Sequence, residues 1–273
     1  MPEAEGPIAP AISVRDLVVS YNGRRVLNGI NLDVAQGETM VLLGGSGSGK
    51  STLLRQIIGL ERPQEGRVVV RGTNLAGAKP AELKNLRRSI GVAFQNAALF
   101  NSMSVEENVA LPLREHTNLA ESTIRLMTWL KLAVVGLAEF GKLSPQELSG
   151  GMKKRAAVAR ALALDPDILV FDEPSAGLDP IVAAELDELI LGLKRAFSMT
   201  VVVVTHEMSS AFRIADRLAM LYQGTLIAVG TKEEFRANPH PRIRQFLDRI
   251  PDQISDTAPV ETYFERYLEG KVV

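Results

Sequence analysis

The stretch GGSGSGKST, residues 44–52, constrains this chain more than any other, because it follows the apolar run TMVLL and precedes the helically periodic STLLRQIIGL. Strand, glycine-rich loop and helix is the order that lets main-chain N–H groups converge on phosphate. Gly44, Gly49, Lys50 and Ser51 fill the fixed positions of G-x-x-x-x-G-K-[ST], with Gly45, Ser46, Gly47 and Ser48 between them and Thr52 following. All nine are expected to contact nucleotide. The helix adds roughly half a positive charge at its start. Lys50 is placed to reach the outer phosphates, and the Ser51 hydroxyl to ligate Mg²⁺ that also takes phosphate oxygens and water.

A second apolar run, DILVFDEP, ends in two acids. A buried strand with Asp172 at its end delivers a carboxylate to the metal without a flexible loop. Glu173, next along, is placed to polarise a water for attack on the γ-phosphate. Alone, such a pair also reads as a solvated strand end; beside the phosphate loop, the metal- and water-directing reading is the expectation.

The remaining composition narrows the class. At 273 residues and 46% hydrophobic, the chain is long enough for a large core. Thirty-one Lys and Arg against thirty-two Asp and Glu give a net charge of -1, so no global field favours nucleic acid. The absence of cysteine excludes disulfides, thiol catalysis and Cys-ligated zinc. The start, MPEAEGPIAPA, lacks the basic and apolar regions of a secretory signal, and no apolar run approaches the roughly 18 residues that span a bilayer. The expectation is a cytoplasmic protein whose membrane role, if any, comes through a partner.

Along the chain, residues 1–11 read as a mobile start. ISVRDLVVSY, then the turn NG, and VLNGINLDV read as strands. GRVVVRG and RRSIGVAFQ continue the pattern, residues 97–165 are helix-rich, and DILVFDEP and MTVVVVTH return to buried strands around the helix IVAAELDELILGLKRAF. RLAMLYQGTLIAVG reads as a hairpin and TKEEFRAN as a short closing helix. The reading is α/β with a helical insertion: a domain over 12–238 and an extension over 239–273.

LSGGMKKR, residues 148–155, is a second glycine-rich helix start, and one bound nucleotide has no evident need of two. In order, GGSGSGKST, Gln95 after a strand, LSGGM, ILVFDEP, AGLDP and VVVVTH resemble the nucleotide-binding subunits of ABC transporters over about residues 12–236. The resemblance implies a P-loop NTPase core of ABC ATPase type with an antiparallel β subdomain, a helical subdomain and a C-terminal extension. It also explains the second helix start: in the family two subunits pair head to tail, and each ATP lies between one chain's phosphate loop and the other's LSGG. Ser149, Gly150 and Gly151 would then bind the partner's nucleotide through a hydroxyl, N–H groups and the helix dipole.

By the same resemblance Tyr21 stacks on adenine, although packing at a strand end explains it as well. Gln95 reaches Mg²⁺ and the attacking water. Asp179 communicates across the dimer, with a helix N-cap before PIVAAEL as the alternative. His206 hydrogen-bonds the γ-phosphate, and His116 and His240 are surface residues.

Met152, in place of the glutamine commonest in the family, together with FQNAALFNSMSVEENVALPLREHT and NPHPRIRQFLDRI, resembles the Mla/Mce branch, whose transporters move phospholipids or related lipids in the Gram-negative envelope. That implies a homodimer, a polytopic permease, an MCE-domain protein and a STAS-domain protein as partners, on the inner face of the inner membrane. Val260, Tyr263, Phe264, Tyr267 and Leu268 would form one apolar helical face in the extension, docking in cis or in trans. Two alternatives share the catalytic residues: the ATPase of a nutrient importer, and a soluble chromosome or repair ATPase. The latter carries long coiled coils between the two glycine-rich elements, and residues 53–147 show no sustained heptads.

Overall fold

A computed structural model describes residues 9–251 and the single position 268. β1 (Ile12–Tyr21) turns at Asn22 and Gly23, both at positive φ, into β2 (Arg24–Val34). After β3 (Thr39–Leu43) and α1 (Lys50–Ile57) come β4 (Glu65–Val70), the short β5 (Thr73–Asn74), α2 (Pro80–Arg88) and β6 (Ile90–Ala93). The helix-rich stretch contains α3 (Val105–His116), α4 (Glu121–Val134), two single 3₁₀ turns and α5 (Gly150–Ala161). β7 (Ile168–Asp172), α6 (Pro180–Phe197), β8 (Thr200–Val204), α7 (Met208–Ile214), β9 (Arg217–Tyr222) and β10 (Thr225–Thr231) follow, then α8 (Lys232–Ala237) and α9 (Pro241–Leu247).

The strands form two sheets. One is antiparallel, in the order β2-β1-β4-β5; the other runs β10-β9-β3-β8-β7-β6, parallel except for β10. Every residue of β3 and β8 is buried, which is why these strands read as unbroken apolar runs rather than alternating ones. β1 buries Ile12, Val14, Leu17 and Val19 completely or nearly so. These join Met40 and Leu42 of β3 and Leu53, Leu54 and Ile57 of α1 in one core, so α1 packs between the two sheets' apolar faces. The parallel order brings the C-terminal ends of β3, β7 and β8 side by side, where open α/β sheets present their functional loops.

α2 and α7 are helices that apolar periodicity did not disclose. α2 buries only Leu83 and Leu86, and its start is fixed by Pro80 and by Lys79 N donating to Glu82 Oε2 at 2.6 Å. Within the expected mobile start, residues 9–11 are held: Ala11 is buried, and its carbonyl accepts the Arg71 N–H at 2.8 Å. α4 buries Ile124 and Leu132 but leaves Leu126, Trp129 and Leu130 about half exposed, more apolar surface than its own core uses.

The chain divides into two compact units between Phe235 and Arg236. In the second, His240 does more than face solvent: its Nδ1 accepts the Arg242 N–H at 3.2 Å and caps α9, ahead of Pro241. Val260, Tyr263, Phe264 and Tyr267 lie outside the described residues, and Leu268 is helical and exposed.

Candidate functional site

The loop between β3 and α1 is shaped for phosphate. Gly44 has φ +150°, and a Cβ there would lie 2.4 Å from the Leu221 carbonyl oxygen, so only glycine fits. Gly45 and Gly47 face open space, and Gly45, Ser46 and Gly47 are exposed, leaving the inside of the loop free for a ligand. The first N–H groups of α1 have no intrahelical carbonyl and aim into that space. Ser51 is exposed and Thr52 half-buried in the first turn. Ser48 is buried, and its Oγ has no hydrogen-bond partner within the protein.

Lys50 is buried at 8% exposure, its ammonium folded back on the loop through Gly44 O at 2.8 Å and Gly45 O at 3.0 Å. Burial lowers its pKa, and the nearby Glu173 and Asp172 oppose that shift. Asp172, half-buried at the end of β7, shows the complementary behaviour. Burial raises its pKa, the adjacent Glu173 adds to the rise, and Lys50, Arg55 and Lys154 pull it down. Loop cation and strand-end acids thus sense one another although Lys50 and Asp172 lie 122 positions apart in sequence.

Glu173 adopts φ +49°, a left-handed conformation costing a non-glycine residue about 1–3 kcal/mol, held by its N–H on Val204 O at 2.8 Å. The turn directs the carboxylate to His206, just past β8: Oε2 lies 2.9 Å from Nδ1 and accepts the His206 main-chain N–H at 3.3 Å. A neutral imidazole donating through Nδ1 leaves Nε2 as an acceptor, so donation from Nε2 to a phosphate requires the imidazolium.

The other sequence-selected residues lie on separate elements, Gln95 alone being drawn towards Glu173 through the Lys154 ammonium that both main-chain carbonyls share. Tyr21 is partly exposed at the end of β1, its hydroxyl bonded to Glu61 Oε2. Gln95 is exposed beyond β6. Ser149 caps α5, its Oγ accepting Met152 N–H at 3.3 Å, and Ser149 and Gly150 are exposed while Gly151 is half-buried. Asp179 Oδ1 accepts Ile181 and Val182 N–H, both at 3.1 Å, so its carboxylate is engaged as the N-cap of α6.

Sequence reasoning missed Lys154 and Glu61. Glu61 orients the tyrosine. Lys154 donates to the Gln95 and Glu173 carbonyls and was legible only as part of a basic pair.

A phosphate loop on a parallel sheet, facing the acids where β7 ends on the far side of β8, defines a P-loop nucleoside triphosphatase. The family model described as ABC transporter matches residues 27–176. The intermembrane phospholipid transport system ATP-binding protein MlaF of Escherichia coli (strain K12) is 42% identical over 267 residues, 97% of this chain and 99% of that protein. The probable ribonucleotide transport ATP-binding protein mkl of Mycobacterium leprae is 43% identical over 242 residues, 89% of this chain and 70% of that protein. Among solved structures, the dimeric post-hydrolysis state of the ATP-binding cassette MJ0796 bound to ADP and Pi matches with a TM-score of 0.75 at 31% identity, covering 81% of this chain and 98% of that one. The chain belongs to the ABC transporter family and is an ATPase that binds and hydrolyses ATP.

Proposed function

We propose that this chain is the ATP-hydrolysing subunit of a transporter that moves phospholipid between the membranes of a Gram-negative envelope. The observation that carries the cargo class is the extent of likeness: similarity to the phospholipid system's ATPase runs through 97% of this chain and 99% of that protein, whereas the mkl match covers 89% and 70%.

In this reading ATP sits in the 44–52 loop, with Tyr21 against adenine, Lys50 on the outer phosphates and Glu173 as general base for the attacking water. His206 and Gln95 orient the γ-phosphate and the water. Ser51 Oγ and the Asp172 carboxylate, joined by Gln95, fit Mg²⁺: they are hard oxygen donors too few for a protein cage, as suits an ion completed by phosphate and water. Among the described residues no cluster of three His, Cys, Asp or Glu offers such a cage. Bound there, Mg²⁺ neutralises charge on the phosphates. Asp172→Asn is expected to raise the Mg²⁺ concentration for half-maximal turnover on the order of 10-fold or more, read by titrating Mg²⁺ at saturating ATP.

The exposed Ser149 and Gly150 leave hydrogen-bonding groups turned outward, which supports a head-to-tail homodimer with ATP at the interface and Asp179 near it. Phe94 and Phe100, exposed at 40% and 51%, line a groove with Arg87 and Pro112 suited to a segment of a polytopic permease. The apolar stripe Leu126, Trp129 and Leu130 offers a further protein-binding face, and an MCE-domain protein and a STAS-domain protein complete the proposed complex. No helix among the described residues is long and apolar enough to cross a membrane. Attachment to the inner face of the inner membrane is therefore assigned to the permease.

The test is to tag the chain at its N-terminus, purify it from gently solubilised native membranes and identify bound proteins and lipids by mass spectrometry. A permease with an MCE protein and phospholipid is expected. A permease with a solute-binding protein would move the reading to nutrient import, and no membrane partner at all would leave the ATPase alone standing.

A further inference from the structure

Lys154 lies one helical turn into α5, half-buried, on the helix that begins at Gly150. Its ammonium donates to the main-chain carbonyl of Gln95 and, at 3.2 Å, to that of Glu173. These carbonyls belong to separate connections, one leaving β6 and the other leaving β7. An ammonium is a compact point charge with three donors, so two carbonyls sharing it are held at a fixed separation. The neighbouring Asp172 and Glu173 favour its charged form, against the burial that lowers its pKa.

The same helix grips the Gln95 loop a second time. Ala97 and Ala98 have φ +57° and +49°, and Arg160 donates to their carbonyls at 2.8 Å and 2.6 Å. The loop therefore follows α5 as a unit, and Lys154 is the point at which Glu173 is attached to it. Besides Lys154, the turn at Glu173 is held by its N–H on Val204 O at 2.8 Å and by its carbonyl accepting the Ala176 N–H at 3.3 Å, both contacts near the turn itself. Lys154 is the contact that ties it to α5, and a rotation of that peptide would carry its carboxylate away from His206.

We propose that Lys154 is a positioning residue for ATP hydrolysis: one ammonium fixes the main chain of Gln95 and of Glu173 together and ties both to the helix that Ser149 caps. The inference rests on the assignment of Glu173 and Gln95 made above. In the head-to-tail dimer, the end of α5 that meets the partner's nucleotide is thereby linked to the hydrolytic geometry of its own chain.

The test compares full-length wild type with Lys154→Met, Lys154→Arg and Glu173→Gln, measuring kcat, KM for ATP, equilibrium ATP affinity and Tm. Lys154→Met is expected to lower kcat on the order of 10- to 100-fold with KM, affinity and Tm essentially unchanged, because Gln95 is exposed and the Glu173 carbonyl keeps the Ala176 N–H at 3.3 Å. Lys154→Arg is expected to recover most of kcat, since a guanidinium also reaches two carbonyls. A Lys154→Met kcat within about twofold of wild type overturns the proposal, as does a loss that comes with a lowered Tm and is not recovered by arginine. Glu173→Gln separates the two levels. Near-normal turnover in that variant removes the underlying assignment, whereas an inactive Glu173→Gln beside a fully active Lys154→Met overturns the positioning role alone.

Discussion

Glu173→Gln is expected to retain ATP binding and lose turnover by about 10²- to 10⁴-fold, the range a positioned general base supplies. The amide keeps the length and planarity of the carboxylate, so it occupies the same turn at φ +49° and still accepts from the His206 main-chain N–H. What it loses is the capacity to take a proton from water. Asp172, next along, does not substitute: its raised pKa would suit a proton acceptor, but its place at the strand end faces Lys50, and the metal assigned there would hold its carboxylate. In the proposed dimer, where Ser149 and the glycines would close on the partner's phosphates and their loss would open it, the variant should accumulate as an ATP-bound dimer. Phosphate release under steady state, together with nucleotide retention on a sizing column, reads both effects. Near-normal phosphate release would remove Glu173 from the role of base.

The prediction depends on how much of the site is local. The 44–52 loop was legible because its chemistry and its fold are one feature: the buried β3, the glycines and α1 adjoin in sequence. Asp172 and Glu173 were legible for a similar reason, a fully apolar strand ending in charge. The order β10-β9-β3-β8-β7-β6 was not, because it depends on which strands cross over and no residue pattern within a strand records that. α7 escaped because seven residues with only Ser210, Ala211 and Ile214 buried give too little period to recognise. Lys154 escaped for a different reason: its partners are main-chain carbonyls in two distant loops, and a carbonyl has no sequence signature. Asp179 shows the converse, since its capping of α6 was readable from the proline that follows, while any cross-dimer contact needs a second chain.

Lys50→Met is expected to weaken ATP binding at least about tenfold and turnover by on the order of 10²-fold or more, while leaving the nucleotide-free protein as stable as wild type or more so. Methionine keeps the stem that packs in the loop but removes the charge, and with it the cation that meets phosphate. The stability half follows from the direction of the lysine's shift. Its pKa is lowered on folding, chiefly by burial, so the folded state disfavours the charged form. A lysine shifted this way costs stability at neutral pH, and the cost fades only as pH rises towards the ordinary lysine value, where the unfolded chain also loses the proton. The carbonyls of Gly44 and Gly45, which now hold the ammonium, limit that cost without cancelling it. Wild type should therefore gain on Lys50→Met as the pH is raised through the alkaline range, and ATP at neutral pH should reverse the order by stabilising wild type more than the weaker-binding variant. Thermal unfolding with and without ATP at several pH values measures all of this. A nucleotide-free variant clearly less stable than wild type at neutral pH would mean that Lys50 serves the fold before it serves the phosphate.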